Sequence, residues 1–457
     1  DVYKRQTLGS AERIAEVLFP GFTARMWRPR LLTFAAMASL VAERAKGSGA
    51  GPGDGGLSDR LSFERLFVSA IVRQQEYDPG KWRLATRRLP GNTLARRALR
   101  SEDTPLGRTN FLKGQAINGP FGVVARLARR LGIVDEDDRL GRSGQELLLA
   151  WSDDENLPGI LDEGDGGSAG KLWLDRFVQA TAAHTAEGQW KSQGWSGWQE
   201  LADRLRPDRI GRRERRVLRQ LLDRDPIRAR CLELLSAQKA LSTYRAASEA
   251  GRSEQDRRVL LEAVLPALSV TDRTEDRVIE LTVRLADAYE RVAGLLETAF
   301  NGLLWGLTRR GGQATPVEIE ADKHLQPIFR AICRQLSGAA QTLRGLIEKI
   351  PAVPQVSDVN PIEPLDAIAF QAQTGAESSA RLIETVIARH RDIQKSKGKG
   401  MWIEPGDKWT LMPGFGQASD GPAKPEVAYL HTFRVPNAYS FLGELGLSGV
   451  EVPDGEA

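Results

Sequence analysis

The chain has 457 residues, 41% apolar and 27% charged, with 64 basic against 60 acidic side chains and a net charge of +4. This composition excludes a wholly disordered chain and a disulfide-framed miniprotein, and the length predicts two or three domains. Charge this nearly balanced gives no protein-wide pull on a polyanion, so any such role must reside in local clusters.

Fifty of the basic residues are Arg and fourteen are Lys. Arg offers a planar fork suited to carboxylate or phosphate, but an Ala-, Gly- and Arg-rich bias is also what a GC-rich genome encodes. The two cysteines, Cys231 and Cys333, sit at apolar-face positions of helical patterns, so a reducing, cytoplasmic compartment is expected. The longest apolar run, Leu31 to Val41, is too short for a membrane span and is flanked by Arg30 and Glu43.

Asp1-Val2-Tyr3-Lys4-Arg5-Gln6 matches a translated transposon-end adapter. Residues 1–6 are therefore read as an artefact of a metagenomic fragment whose true N-terminus lies upstream. Gly47 to Gly56, with six glycines in ten residues, reads as a flexible loop. In 153–170 six acids and five glycines read as a solvated linker, and 351–364, with four prolines, reads as another. Three parts follow: 7–152, 171–350 and 365–457.

In the first part Leu61 to Gln75 reads as a helix with Phe63, Leu66, Phe67, Ala70 and Ile71 in one stripe, capped by Ser58 or Asp59. Leu94 to Arg100, Phe121 to Leu131 and Gln145 to Trp151 follow. In the middle part Ile227 to Ala250 reads as one helix. Asp276 to Arg310 places Val278, Leu281, Leu285, Ala288, Val292, Leu295, Ala299 and Leu303 at alternating three- and four-residue steps. Pro327 to Ile350 repeats the pattern with Ile332, Leu336, Ala340, Leu343, Ile347 and Ile350, and the Gly311-Gly312 break suits a helical hairpin. The last part opens with a helix, Leu365 to Gln394. Short strands are expected within 401–429, and a closing helix over Asn437 to Leu445.

Much common chemistry is missing from the sequence. It has no Gly-x-Ser-x-Gly elbow, His-Glu-x-x-His, Cys-x-x-Cys or His-x-Lys motif, and its four histidines, His184, His324, His390 and His431, are scattered. No metal or cofactor is expected. Residues 165–172 nearly match a phosphate-binding loop, but Asp165 and Leu172 stand where Gly and Ser or Thr are needed. The acidic run Asp135 to Asp138 reads as a solvated turn.

Around that turn, a helix ending in Leu131-Gly132-Ile133-Val134 and a Gly-led return into another helix resemble the second half of a winged-helix domain. In such domains the helix enters the DNA major groove. Arg126, Arg129 and Arg130 would then face phosphates. The densest charge lies between Arg204 and Arg230, with eleven arginines against four acids. Arg209, Arg212, Arg213, Arg215, Arg216 and Arg219 bracket a helix start there, with Val217, Leu218, Leu221 and Leu222 packing inward. Such a face can track a phosphate backbone, or it can be a solvated face paired with nearby acids. Trp190, Trp195 and Trp198 precede it; next to arginines they can stack unpaired bases, although Trp at this spacing more often anchors a core. A polar C-terminal set, His390, Lys395, Trp402, His431 and Arg434, would serve phosphodiester chemistry if His390, His431 and Arg434 converged.

Two end segments carry a family resemblance. Leu18-Phe19-Pro20-Gly21 precedes an Arg-rich helix, Arg25 to Arg30, that runs into Leu31-Leu32-Thr33-Phe34. His431-Thr432-Phe433-Arg434-Val435-Pro436-Asn437-Ala438-Tyr439-Ser440-Phe441-Leu442 stands near the other end. Together they resemble large, helical, uncharacterised bacterial proteins of phage-defence gene neighbourhoods. The resemblance implies a nucleic-acid-linked role and carries over no catalytic residue.

The sequence thus predicts a mainly α, multi-domain protein with a winged-helix-like N-terminal region, a central helical-hairpin bundle and a small α+β C-terminal region. Its expected role is a non-catalytic nucleic-acid-associated component of a bacterial defence or DNA-processing system. The alternatives are a helical scaffold for protein partners and a phosphodiester-acting enzyme using His390, His431 and Arg434. No membrane association is expected.

Overall fold

The computed structural model describes residues 3–45, 57–101, 105–107, 110–163, 166–268, 273–415 and 429–447. The Gly47–Gly56 loop, Asp1 and Val2, Asp165 of the near-motif and 416–428 of the strand-rich stretch lie outside these residues. The protein is mainly helical with one small antiparallel sheet. No helix among the described residues is long and apolar enough to cross a membrane.

The chain divides into two compact units, 1–19 with 233–436 and 20–232 with 437–457. The division falls elsewhere than the stretches 153–170 and 351–364, each of which lies inside a unit. Both stretches carry buried side chains, Glu155, Leu157 and Ile160 in one and Val356 and Asn360 in the other. Gly and Pro content marks where the backbone turns; it does not measure how much of a segment packs.

The unit containing 233–436 is organised by helix Thr274–Arg309, 36 residues long, which spans about 54 Å at 1.5 Å per residue. All eight predicted seam residues are buried, as are all six of the second pattern, now in helix Gln326–Ile347 and just beyond it. The two helices pack on each other, and Ile362–Gly375, Ser379–Ser396 and Tyr3–Leu18 pack around them. Small residues allow the approach at one end: a Cβ on Gly306 would sit 2.6 Å from Leu325 Cδ1. The hairpin break carries left-handed Gly311 and Gly312 (φ 71° and 89°), a conformation that disfavours a side chain. It then contributes β1 (Gln313–Ala314) to a sheet with β2 (Ile403–Glu404) and β3 (Trp409–Leu411), in the order β1-β3-β2. Gln313 pairs with Thr410, and Ile403 with Leu411.

Two helices read as continuous are each broken. Ile227 to Ala250 contains Pro226–Ser236 and Gln238–Ala246, with extended Ala237 between them. Leu365 to Gln394 contains Ile362–Gly375 and Ser379–Ser396, where the Ser378 hydroxyl accepts the Arg381 N–H and starts a new helix.

In the other unit, helix Arg30–Ala45 is buried on nearly every side. That explains an apolar run too short for a membrane: a helix apolar all round is a core helix. Leu57–Tyr77, Pro120–Arg130, Arg142–Asp154 and Ala169–Glu187 surround it. Phe34 stacks on Phe67 (4.2 Å) and Phe63 (5.7 Å). The Arg25–Arg30 stretch expected to be helical is irregular, and the helix begins only at Arg30. The turn after Pro120–Arg130 is a single antiparallel bridge, Val134 to Leu140, leading into Arg142–Asp154.

Candidate functional site

The arginine segment forms helix Arg212–Leu222. Leu218, Leu221 and Leu222 are buried, while Val217 is only half-buried. The inner face also carries an acid: Glu214 is fully buried and lies 3.3 Å from the Arg30 guanidinium. Its Oε1 accepts the Thr33 hydroxyl (2.6 Å) and its Oε2 the Gly211 N–H (3.2 Å). Arg30 also contacts Glu155 (3.2 Å) and donates to the Arg204 and Arg206 carbonyls. Burial pushes the Glu214 carboxyl above its usual range, and Arg30 pulls the other way. At the helix start, the Asp154 carboxylate accepts the Glu214 N–H (2.9 Å). The carboxylate comes so close that a Cβ on Gly211 would overlap it.

With Glu214 turned inward, the arginines turn outward. Arg212, Arg213, Arg215, Arg216 and Arg219 line one concave surface of about 560 Å³ with Gln220 and Asp223. Arg213 pairs with Asp153 (2.5 Å), in the acidic stretch before it, and both side chains are about half exposed. Arg215 reaches the Ile210 carbonyl (3.3 Å) and Arg219 the Leu445 carbonyl (3.0 Å). Arg209, Arg212 and Arg216 are exposed and have no ion pair among the described residues.

The other predicted arginines are differently placed. Arg129 is held on Asp138 (2.6 Å), which also takes Arg60 (3.0 Å). Arg130 lies 3.4 Å from Asp225, and Arg126 is exposed. The acidic turn is thus a binding partner for its own neighbours. Asp135 Oδ1 accepts the Asp137 and Arg139 N–H groups, and Glu43 accepts that of Leu140 (2.6 Å).

The C-terminal set is held in separate places. His390 is buried, stacked on Phe300 (4.8 Å), and its Nε2 accepts the Trp402 N–H (3.1 Å). Burial lowers its pKa to about 4, so the ring is neutral. His431 Nδ1 meets Glu290 (2.6 Å) and its Nε2 meets the Thr7 hydroxyl (2.9 Å). Glu290 and Phe300 are ten residues apart on one helix, about 15 Å along its axis, so the histidines anchored to them are apart. Arg434, at φ 66°, places its buried guanidinium on Glu16 (2.7 Å) and the Glu12 carbonyl (3.1 Å). Lys395 is exposed at its helix end, where a cation suits the dipole. His390 and Trp402 meet; His390, His431 and Arg434 do not form the convergent site that phosphodiester chemistry needs. No group of three or more His, Cys, Asp or Glu positioned to hold a metal occurs among the described residues.

The two end segments meet each other. Asn437 Nδ2 donates to the Ala24 and Met26 carbonyls (3.1 and 2.8 Å), and Ser440 to that of Trp27 (2.6 Å). Sequence reading missed the buried acids Glu64, Glu155, Glu214, Asp256 and Glu290, whose partners lie far off in the chain. Comparison with protein-family models, with curated proteins and with solved structures gave no match.

Proposed function

We propose that the protein binds nucleic acid through the outer face of helix Arg212–Leu222. The observation that carries this reading is where the arginines stand. Arg212, Arg215, Arg216 and Arg219 share one face at i, i+3, i+4 and i+7, starting at the first helical position. A helix N-terminus is the positive end of the backbone dipole, so Arg212, Arg213 and Arg215 in the first turn cost roughly 0.3–1 kcal/mol each, while Arg219 lies in the last turn, where a cation is favoured. Like charges at i, i+4 add roughly 0.2–0.5 kcal/mol. The helix's own acid, Glu214, is buried against Arg30 and offsets little of this at the surface. A face selected for stability alone would carry acids here; a polyanion removes the repulsion.

Phosphate oxygens suit the guanidinium fork, and the concave surface lined by these arginines gives a backbone-tracking contact room. Arg126, exposed on Pro120–Arg130, extends the reading to a winged-helix-like contribution from 120–154, with Arg129 and Arg130 in weaker positions because Asp138 and Asp225 hold them. Replacing Arg209, Arg212 and Arg216 together by Glu tests the proposal. Fluorescence anisotropy on labelled DNA is expected to lose at least a hundredfold in affinity while the circular dichroism spectrum is unchanged. Unaltered affinity in the folded variant overturns it.

A further inference from the structure

We infer that a second surface of the same unit, the cleft on the Trp195–Trp198 cluster, receives a nucleobase from an unpaired strand. The inference rests on the nucleic-acid reading and deepens it by naming the form bound. The cleft has a volume of about 520 Å³. Its floor is preassembled. Trp198 is buried, its indole N–H donates to the Ser192 carbonyl (2.8 Å), and Trp195 stands edge-on to it at 5.1 Å and 86°. Phe177 meets Trp195 from another side at 5.8 Å. Gly197 packs against the Trp195 ring so closely that a Cβ would overlap it. A platform held this way loses little freedom when a ligand stacks on it.

At the rim Tyr77 is 89% exposed, the most exposed of the large apolar side chains among the described residues. The solvated Tyr77 ring offers stacking surface to a flat ligand, while Arg176 and Lys191 lie over the Trp195 ring at 5.4 and 5.8 Å. Gln74, Gln193 and Gln199 line the same cleft. None of the three side chains makes a hydrogen bond among the described residues, so each amide keeps a donor and an acceptor for a base edge. The lining carboxylate, Glu76, is occupied by Arg100 (3.1 Å) and Arg96 (3.3 Å), which leaves little charge to repel a phosphate. Arg73 lies over the Trp198 ring at 4.7 Å. A base inside a duplex has both faces covered, so this cleft selects a splayed one.

The test compares labelled oligothymidylate with an abasic oligonucleotide of equal length and charge, using the wild type, Tyr77→Ala and Gln199→Ala. Both replaced side chains are exposed, so the fold should tolerate their loss. The wild type is expected to favour the base-bearing strand by about tenfold. Tyr77→Ala is expected to abolish the preference, and Gln199→Ala to reduce it. Equal affinity for the two strands, or a preference unchanged by Tyr77→Ala, overturns the inference. Binding of free adenosine, followed by tryptophan fluorescence, needs no phosphate contact. Adenosine binding that Tyr77→Ala removes supports the cleft even if the arginine helix proves inert; salt-sensitive binding without base preference overturns the cleft alone. Displacement of adenosine by a neutral oligosaccharide at equal concentration also overturns it.

Discussion

The Arg30 guanidinium meets the Glu214 carboxylate at 3.3 Å with both side chains buried, so the first residue of the core helix fixes the inner face of the arginine helix. A charge pair removed from water is tolerated because each partner is further hydrogen-bonded, Glu214 by Thr33 and Gly211 and Arg30 by two carbonyls. Arg30→Met should therefore destabilise the protein by roughly 3–5 kcal/mol, by stranding Glu214 and weakening the hold on Glu155. Urea unfolding measures it. Adding Glu214→Gln should recover a substantial part of the loss; a double variant as unstable as the sum of the singles would show that the two do not interact.

Gly211 and Asp154 make a second coupled pair. Asp154→Ala removes the acceptor of the Glu214 N–H and should cost about 1 kcal/mol, as lost caps do. Gly211→Ala drives a methyl into that carboxylate and should cost more, about 2 kcal/mol. In the Asp154→Ala background the same Gly211→Ala change should cost less but not nothing, because the carboxylate is gone while the residue-154 Cβ, 2.5 Å from the new methyl, remains. Additive losses in a double-mutant cycle would contradict the close approach.

Glu64 predicts a pH dependence. It is fully buried, accepting the Phe121 N–H (2.8 Å) and the Gln115 amide (2.9 Å), and burial raises its pKa from 4.5 to about 7. The fold keeps this proton between pH 4.5 and 7 while the unfolded chain releases it. Its contribution is therefore fully present below 4.5, declines as pH rises through 7, and levels off above. The decline is on the order of 3 kcal/mol. Glu444 is raised to about 7 by burial as well, so the Glu64 share is read as the difference between wild type and Glu64→Gln in urea melts across this range. Parallel pH curves for the two proteins would refute it.

Glu290 ties the segment at 430–431 to the long helix, accepting the Leu430 N–H (2.5 Å), the His431 N–H (3.3 Å) and the His431 ring (2.6 Å). Glu290→Ala leaves several buried donors unmet and should cost at least about 2 kcal/mol. Hydrogen exchange at Leu430 and His431 should accelerate before the rest of that unit. Acceleration spread uniformly over both units would mean that Glu290 acts globally.

The helices that sequence reading found are those whose burial repeats on one face. The three- and four-residue steps of 278–303 made Thr274–Arg309 legible to within two residues; the Phe63 to Ile71 stripe revealed Leu57–Tyr77 but placed its start four residues late, so that Ser58 and Asp59, read as caps, lie inside the helix. Arg30–Ala45 escaped as a core helix because an element buried all round has no stripe to reveal it. Ala237 and Ser378 broke two predicted helices through backbone conformation and capping, which leave apolar periodicity intact. At the candidate surface the outward arginines were legible as a charge excess. The inward turn of Glu214 was not, because its partner Arg30 lies 184 residues earlier. His390 and His431 looked like a site because scarce residues attract attention. Their partners Phe300 and Glu290 place them along different turns of one helix.

A salt titration of DNA binding probes the proposed phosphate-tracking face of helix Arg212–Leu222. Each phosphate contact contributes about 0.9 to the slope of log affinity against log salt. The wild type is expected to lose affinity steeply with salt, and the variant carrying Arg209→Glu, Arg212→Glu and Arg216→Glu to show a slope smaller by about 3. An identical slope in the two proteins, or no binding by the wild type at low salt, would contradict the claim and make these arginines a solvated helix face.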